Sequence, residues 1–251
     1  MVKKISDLNN IPNLKPSVAC IGYFDGVHLG HQKLIKETIK QAKRLGVASS
    51  LICFEPDPLE IISNSKNNHL TSYENRINII ESFGIENIIV IKFSEELMKL
   101  NPHKFISSYL NKMNIKCLIC GYDFSFGYNG LGNITDLVKW GKFETIVIPE
   151  YKLYNKKVSS TRIKKALISG NFKLTNRLLG WDYCIELKVI NSSKQGKKWL
   201  IETKLRDSRG ILPKNGKYGN GFEIKDNKVY ILGPINLEKN QIILTSFTKD
   251  E

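Results

Sequence analysis

Apolar runs and amphipathic segments alternate along the first 180 residues of the chain. Five short apolar runs predict buried strands, at 18–21, 48–54, 88–91, 117–120 and 145–148. Between them, apolar positions at helical spacing predict helices, at 31–45, 71–83, 102–113 and 134–140. Strands separated by helices of this length form βαβ units. We therefore predict an α/β domain whose mostly parallel sheet is covered on both faces.

Local signals mark where several of these helices begin and end. Gly46 follows the first helix, where a left-handed residue commonly ends a helix. Thr71 and Glu74 have the spacing of a capping box at a helix start. Asn101 followed by Pro102 is typical of an N-cap and the first helical residue.

The pattern changes near Gly180. Ile185, Leu187 and Val189 alternate with polar residues, as in a strand with one buried face. Later runs are also typical of strands, at 199–205, 222–224, 229–232 and 242–247, with turn-forming residues at 194–196 and 215–216. We predict two domains: the α/β domain over residues 1–182 and a small all-β domain, a barrel or a sandwich, over 183–251.

Composition narrows the class of protein. The 251 residues are 41% hydrophobic and 25% charged, which excludes wholesale disorder. No window approaches the ~18 consecutive apolar residues of a membrane span, and no apolar segment follows Lys3 and Lys4 as in a secretory signal. The five cysteines are odd in number and lie in apolar runs, which favours reduced thiols in a cytosol.

The chain carries a net charge of +14, from 38 basic and 24 acidic side chains. Such an excess fits nucleic acid, a membrane surface or phosphorylated ligands. Basic residues concentrate at 139–177, where Glu144 and Glu150 are the acids. A patch inside a folded region suits a polyphosphate pocket as well as RNA, and a solvated basic face is the plainer alternative.

The strongest chemical signal is the segment Gly22–His31, Gly-Tyr-Phe-Asp-Gly-Val-His-Leu-Gly-His, between the first predicted strand and the first long helix. Open α/β sheets bind ligands beyond the carboxyl ends of their strands, and a helix N-terminus attracts anions. His28 and His31 could therefore face one phosphate group, with Gly30 allowing close approach. The alternative is that one histidine caps the helix and the other is a structural or metal-binding residue.

A second signal is the string Val-Ser-Ser-Thr-Arg-Ile-Lys-Lys at 158–165. Ser160 or Thr161 is expected to cap a helix. Hydroxyls, backbone N–H groups and the cations Arg162 and Lys164 also suit a triphosphate tail. By itself the string is weak evidence for a nucleotide-phosphate site. Together with His28 and His31 it is strong evidence for one.

Two further loops follow predicted strands. Gly121–Gly127, Gly-Tyr-Asp-Phe-Ser-Phe-Gly, contains two phenylalanines that could grip a planar ring or anchor the loop in the core. Phe54–Pro58, Phe-Glu-Pro-Asp-Pro, has two prolines that stiffen the loop.

Two other patterns are weaker. Cys117 and Cys120 have thioredoxin-like spacing but lie within an apolar strand, and the sequence has no second pair for zinc. Gly130 and Gly132 lack the rest of a dinucleotide fingerprint and are interpreted as loop glycines.

In order and wording these motifs resemble the bacterial bifunctional riboflavin kinase/FAD synthetases, which are histidine-signature nucleotidyltransferases. The matching segments are Gly22–His31, Phe54–Pro58, Leu70–Glu74, Gly121–Gly127 and Val158–Ile163. The resemblance extends over roughly residues 15–180. It implies a Rossmann-like nucleotidyltransferase domain, a cytoplasmic location, and the joining of FMN and ATP to give FAD and pyrophosphate, with Mg²⁺.

The resemblance also implies roles for residues. The predicted catalytic set is His28, His31, Ser160, Thr161, Arg162 and Lys164. The predicted ATP-binding set is Gly22, Phe24, Asp25, Gly30 and Ser159, and the predicted flavin-binding set is Phe54, Pro56, Asp123, Phe124 and Phe126. No protein ligand to a metal is predicted, and neither nucleic acid nor membrane is an expected partner.

The chain departs from the family in three places. Asp57 stands where the family often has histidine, and Lys164 where it usually has arginine, which removes the bidentate fork. The family's kinase barrel carries a Pro-Thr-Ala-Asn signature, yet none of the eight prolines here precedes threonine. The region after Gly180 is also shorter than the family's kinase module, although 212–218 resembles one of its strand entries. We therefore expect the kinase activity to be lost.

Three alternatives stay open. The first is a bifunctional enzyme with a diverged kinase site. The second is the same fold acting on another acceptor, such as phosphopantetheine or a cytidylyltransferase substrate. The third is a non-catalytic flavin- or RNA-binding module.

Overall fold

We describe the protein from a computed structural model. It describes residues 2–5, 13–63, 68–195, 198–207, 210–218, 222–225, 228–233 and 241–244. The chain forms two compact units. The first comprises residues 1–67 and 73–152, and the second comprises 68–72 and 153–251.

The first unit alternates strands and helices, as the hydrophobic pattern predicts. Its strands are β1 (Val2–Ile5), β2 (Ser17–Ile21), β3 (Ala48–Glu55), β4 (Asn87–Lys92), β5 (Ile115–Gly121) and β6 (Glu144–Ile148). Its helices are α1 (Leu29–Leu45), α2 (Pro58–Ser63), α3 (Tyr73–Ser82), α4 (Glu95–Met98), α5 (Pro102–Ser108) and α6 (Ile134–Trp140). Short 3₁₀ turns lie at Asp25–Val27, Leu110–Lys112 and Tyr128–Gly130.

The six strands form one parallel sheet in the order β1-β4-β3-β2-β5-β6. The chain moves outward in one direction from β2 through β3 to β4, and then returns to the other side of β2 as β5. The strand order therefore reverses between β2 and β5. A crevice at such a switch point, outside the carboxyl ends of the strands, is where open α/β sheets bind ligands.

Both faces of this sheet are buried, which explains the unbroken apolar runs in the sequence. Alternate residues of the central strands point to opposite clusters. Ala19, Ile21, Ile52, Phe54, Ile89 and Ile91 belong to one cluster, and Val18, Cys20, Leu51, Cys53, Ile88 and Val90 to the other.

The five predicted strands of this domain are confirmed, and the helix bounds differ in detail. α5 ends at Ser108 and continues as a 3₁₀ turn, while its predicted apolar face is buried. α3 begins at Tyr73, two residues after Thr71. The short strand β1, which pairs with β4, was not predicted, because Val2–Ile5 contains two lysines and no long apolar run.

The second unit contains two helices and an antiparallel sheet. The helices are α7 (Ser160–Ile168) and α8 (Phe172–Leu179), preceded by a two-stranded sheet of β7 (Lys152–Leu153) and β8 (Lys156–Lys157). The sheet strands are β9 (Ile185–Gln195), β10 (Lys198–Leu205), β11 (Gly216–Tyr218), β12 (Phe222–Lys225), β13 (Lys228–Gly233) and β14 (Gln241–Leu244), in the order β11-β12-β13-β10-β9-β14.

This antiparallel sheet confirms the predicted fold class, an α/β domain followed by a small β domain. The predicted strand at 242–247 is β14 as far as Leu244, and its remainder lies outside the described residues. The domain border placed between residues 182 and 183 stays a prediction.

Within the second unit, the β sheet packs against the helices. Tyr218 at the end of β11 is 1% exposed and meets the ring of Phe172 edge-on, with centroids 5.6 Å apart. The backbone N–H of Lys214 donates to the carbonyl oxygen of Ile168 over 3.0 Å. The β sheet therefore supports the end of α7 and the start of α8.

All five cysteines are free. Burial raises the pKa of both Cys117 and Cys120 to about 11, which disfavours the reactive thiolate form. Among the described helices, none combines the length and apolarity needed to cross a bilayer.

Candidate active site

The turn after β2 has a backbone that most side chains avoid. Phe24, Gly26 and Val27 have φ values of 63°, 76° and 37°, in the left-handed region. Glycine accepts this conformation readily, but phenylalanine and β-branched valine do not. Phe24 and Val27 are both fully buried, so tertiary packing holds the strained turn in place.

Gln32 fixes this turn from the first turn of α1. Its side-chain amide donates to the carbonyl oxygen of Val27 over 3.0 Å, and its backbone N–H donates to the carbonyl oxygen of His28 over 2.9 Å. Gln32 is buried. The sequence analysis missed this role, and the only signal for it was a polar residue at a buried helical position.

His28 is the N-cap of α1. Its Nδ1 accepts a hydrogen bond from the backbone N–H of His31 over 3.3 Å. An accepting Nδ1 carries no proton, so in this geometry neutral His28 bears its proton on Nε2. The imidazole therefore has an N–H donor on the side away from the helix.

The two imidazole rings lie nearly parallel, with centroids 3.7 Å apart and an interplanar angle of 12°. A Cβ on Gly30 would lie 3.1 Å from Cε1 of His28, which explains glycine between the two histidines. Burial, followed by the charges of His28 and Arg76, holds the pKa of His31 well below its ordinary value of 6.5. Two imidazolium ions would repel each other at this distance, so the stack disfavours a second positive charge on the pair.

A buried cation lies beside the turn after β2. Arg76, on α3, is 2% exposed, and its Nη2 lies 2.9 Å from Oε2 of Glu55 at the end of β3. Its guanidinium carbon lies 4.4 Å from the ring centroid of Tyr23. The sequence analysis did not single out any of these three residues, because an arginine on a helix usually faces solvent.

The loop after β3 lies next to the turn after β2. The backbone N–H of Gly22 donates to the carbonyl oxygen of Ile52 in β3 over 3.1 Å. Phe54 is 8% exposed and packs edge-on against Phe93, so its ring belongs to the core. Pro56 is half-buried and follows a cis peptide bond, and Asp57 is buried.

The loop after β5 brings the predicted flavin residues to the same edge of the sheet. Phe124 and Phe126 stack with centroids 5.5 Å apart, and Phe126 is buried against Phe105. Phe124 is half-buried and Asp123 is exposed. Phe126 therefore anchors the loop, as the core alternative proposed, while Phe124 and Asp123 have surface that a ligand can reach.

In the second unit, the hydroxyl string starts α7. The side chain of Ser159 accepts from the backbone N–H of Arg162 over 3.3 Å and is the N-cap. The expectation that Ser160 or Thr161 caps this helix was therefore wrong by one or two residues, because the helix begins at Ser160. Thr161 is exposed and Ser160 half-buried.

The cations of this string have backbone partners. Nη1 of Arg162 lies 3.0, 2.9 and 3.2 Å from the carbonyl oxygens of Leu153, Lys156 and Lys157. Lys164 donates to the carbonyl oxygen of Asn68. Arg162 thus holds the β7–β8 hairpin in addition to any contact with a ligand.

The structure brings together three of the predicted loops in the first unit. The loops after β2, β3 and β5 lie at one edge because these strands are hydrogen-bonded neighbours, with β2 in the middle. In the second unit, Ser159–Lys164 forms a separate group at the start of α7.

Within the described part of the chain, no three His, Cys, Asp or Glu side chains are grouped as a metal cage. At nucleotide sites Mg²⁺ usually keeps several waters and binds substrate phosphates. Ser160 and Thr161 offer hydroxyl oxygens of the type that can complete such a shell.

Comparison with known proteins identifies relatives. A family model described as FAD synthetase matches residues 10–162. A bifunctional riboflavin kinase/FMN adenylyltransferase from Buchnera aphidicola subsp. Schizaphis graminum is 38% identical over 238 residues, which cover 92% of this chain and 76% of the relative. A protein of the same description from Bacillus subtilis is 36% identical over 221 residues, which cover 85% of this chain and 69% of the relative.

A solved structure supports the fold. The crystal structure of a macrolide-efflux protein from Streptococcus pneumoniae matches with a TM-score of 0.85 and 22% identity, covering all of this chain and 91% of that one. At this identity the likeness establishes the fold alone.

Proposed function

Because the chain belongs to the FAD synthetase family, we propose that it transfers the adenylyl group of ATP to FMN. The products are FAD and pyrophosphate. The family membership confirms the resemblance predicted from the motifs. The reaction needs no covalent enzyme intermediate: an oxygen of the FMN phosphate attacks the α-phosphorus of ATP, a new P–O bond forms, and the bond to the β-phosphate oxygen breaks. Catalysis then consists of positioning and charge stabilisation.

The observation that carries this proposal is the stacked histidine pair at the start of α1. The pair lies at the carboxyl edge of the parallel sheet, beside the switch point between β2 and β5. The Nε2–H of His28 is a donor of the type that stabilises charge building on an α-phosphate. The N-terminus of α1 adds a favourable field for an anion.

We assign the remaining catalytic residues to the leaving group. Ser160, Thr161, Arg162 and Lys164 would contact the departing pyrophosphate. The hydroxyls and backbone N–H groups at the start of α7 suit phosphate oxygens. When Mg²⁺ is bound, it neutralises part of the phosphate charge.

We assign the two substrate subsites from the loops of the first unit. Adenine and ribose would bind near Gly22, Phe24, Asp25 and Gly30, with Ser159 contributing to ATP binding. Since the side chain of Phe24 is fully buried, its contribution would come from the backbone. The flavin would contact Asp123 and Phe124, with Phe54, Pro56 and Phe126 supporting the loops from the core.

We further propose that riboflavin kinase activity is absent, although the relatives are described as bifunctional. A kinase must hold ATP phosphates and Mg²⁺ with backbone N–H groups and hydroxyl or carboxylate oxygens. The chain has no proline followed by threonine. The turns at 192–196 and 208–210 lack the hydroxyl and asparagine at the family's spacing. Gly196, Ser208 and Arg209 lie outside the described residues.

In this proposal, residues 1–182 carry out adenylyl transfer and residues 183–251 stabilise the domain that does so. The enzyme would be cytoplasmic. The β sheet contacts α7 and α8 through Tyr218 and Lys214. Support of the helix that carries Ser160 and Thr161 is therefore a sufficient role for this sheet.

One assay tests both halves of the proposal. The protein is incubated with ATP, Mg²⁺ and either FMN or riboflavin, and the flavins are separated by chromatography. We expect FAD from FMN and no FMN from riboflavin. A folded protein that forms no FAD would refute the adenylyl transfer, and robust FMN formation would refute the loss of the kinase. Phosphopantetheine or a cytidylyltransferase substrate in place of FMN tests the acceptor.

A further inference from the structure

We infer that Arg76 is a positioning residue for the histidine pair: it fastens the turn after β2 to the end of β3 and keeps a fixed positive charge beside this turn. The kinetic part of this inference rests on the adenylyl transfer proposed above. The electrostatic part is independent of it.

Arg76 connects three separate elements of the first unit. Its own position is on the first turn of α3. Its Nη2 is 2.9 Å from Oε2 of Glu55, the last residue of β3. Its guanidinium lies over the ring of Tyr23, in the turn that leads to His28 and His31, at 4.4 Å, and near Tyr73 at 5.7 Å.

The burial of this cation is costly and calls for a role. Arg76 is 2% exposed, whereas its ion-pair partner Glu55 has a side chain that is 31% exposed. Taking a guanidinium out of water costs several kcal/mol, and an apolar side chain of similar volume often packs at such a position with equal or better stability. Among the described residues, none pairs with Nε of Arg76. Packing alone therefore does not account for a charge at this position.

The turn connects the cation to His31: the guanidinium of Arg76 lies over Tyr23, and the ring of the next residue, Phe24, lies 5.1 Å from the ring of His31. Burial is the largest cause of the low pKa of His31, and the charges of His28 and Arg76 lower it further. The ionisable groups around Arg76 include Tyr23, Cys53, Glu55 and Tyr73, and Tyr23 in turn faces Asp25 and Asp57. Burial alone would lower the pKa of Arg76, but Tyr23, Cys53 and Glu55 raise it above its ordinary value. Arg76 therefore stays charged throughout the working pH range.

This arrangement has two consequences for the site. The fixed cation beside the turn disfavours protonation of His31. The contacts to Tyr23 and Glu55 hold the loops after β2 and β3 in register, and misplacement of a reacting group by about 1 Å can cost about 10²-fold in rate.

Three variants separate the charge of Arg76 from its shape. Arg76→Gln removes the charge, Arg76→Lys keeps the charge without the planar fork, and Arg44→Gln is the control, an exposed arginine at the end of α1. The titration of His31 is followed by NMR with ¹³C-labelled histidine, its signal assigned with His31→Gln. The pH profile of kcat/KM for FAD formation is measured alongside.

We expect Arg76→Gln to raise the titration midpoint of His31 and the acid limb of the profile by about one pH unit, with kcat/KM lower by about 10²-fold. Arg76→Lys should keep both the midpoint and the acid limb at their wild-type positions while kcat/KM falls by about tenfold. Arg44→Gln should match the wild type in all three measurements.

An unchanged His31 midpoint in folded Arg76→Gln would overturn the electrostatic part. Wild-type kcat/KM in Arg76→Lys would overturn the positioning part. If Arg76→Gln does not fold, Arg76→Lys decides: a lowered kcat/KM with the wild-type His31 midpoint supports the inference, and a shifted midpoint refutes it. If the wild-type protein forms no FAD, the proposed function fails, yet the NMR titration still tests the influence of Arg76 on His31.

Discussion

The imidazole rings of His28 and His31 stack with centroids 3.7 Å apart, while Nδ1 of His28 accepts the backbone N–H of His31. The hydrogen bond fixes the tautomer of neutral His28, and the stack disfavours a positive charge on both rings at once. A protonated Nδ1 on His28 would lose its role as acceptor and with it the cap of α1. The same geometry thus links the protonation of the site to the stability of its helix.

Stability should fall as the pH drops below about 6.5. The pKa of His31 is lowered in the folded state, so the unfolded chain takes up a proton before the folded protein does. The stabilisation is therefore complete above the unfolded pKa and is lost as the pH falls below it, at up to about 1.4 kcal/mol for each pH unit. Urea unfolding at pH 7.5 and 5.5 measures it, with His31→Gln as the comparison. An equal loss of stability in wild type and variant would contradict this linkage.

His31→Ala should lower kcat far more than it weakens ATP binding. In the proposed reaction His31 lies where charge develops in the transition state, and removal of one such group typically costs on the order of 10²–10³ in rate. Steady-state kinetics together with ATP titration separate the two effects. His103→Ala is the matched control, since His103 stacks edge-on against Trp140 outside the predicted site. An unaltered kcat in His31→Ala would leave His31 with a structural role only.

Gly30→Ala should impair catalysis while leaving the fold intact. Alanine is a better helix former than glycine, but its Cβ would lie 3.1 Å from Cε1 and 3.2 Å from Nδ1 of His28. The ring must shift by a few tenths of an ångström, which disturbs both the stack and the cap. We expect kcat to fall by about tenfold or more with little change in the unfolding midpoint. Lys40→Ala, on the exposed face of α1, should have wild-type kinetics.

Arg162→Ala should loosen the β7–β8 hairpin. The guanidinium contacts three carbonyl oxygens of residues 153–157, and hydrogen bonds to a charged donor contribute about 1.5–3 kcal/mol. Amide hydrogen exchange in this segment should accelerate by about tenfold or more. Lys165→Ala removes a neighbouring exposed cation and should leave the exchange unchanged. If the amides of this segment exchange in Arg162→Ala as they do in the wild type, the contacts of the guanidinium with the carbonyl groups do not stabilise the hairpin.

The sequence by itself determined the α/β class, five strands of the parallel sheet and the small β domain. It could do so because strands buried on both faces produce unbroken apolar runs, and because Gly46 and Asn101 carry local helix signals. The motif from Gly22 to His31 was sufficient to predict an edge of the sheet for the proposed site. These features depend on neighbours along the chain, which a single sequence contains.

Only the tertiary structure decided the state of that site. The ion pair of Arg76 with Glu55 joins residues whose proximity follows from the packing of α3 and β3. The strained conformation of Val27 is held by its burial and by the hydrogen bond from Gln32. From the sequence, Phe124 and Phe126 were equally plausible contacts for the flavin. The structure distinguishes them, because Phe126 is buried against Phe105. Burial and long-range charge depend on what the fold brings together in space, so they set the protonation of His31 where no local motif could.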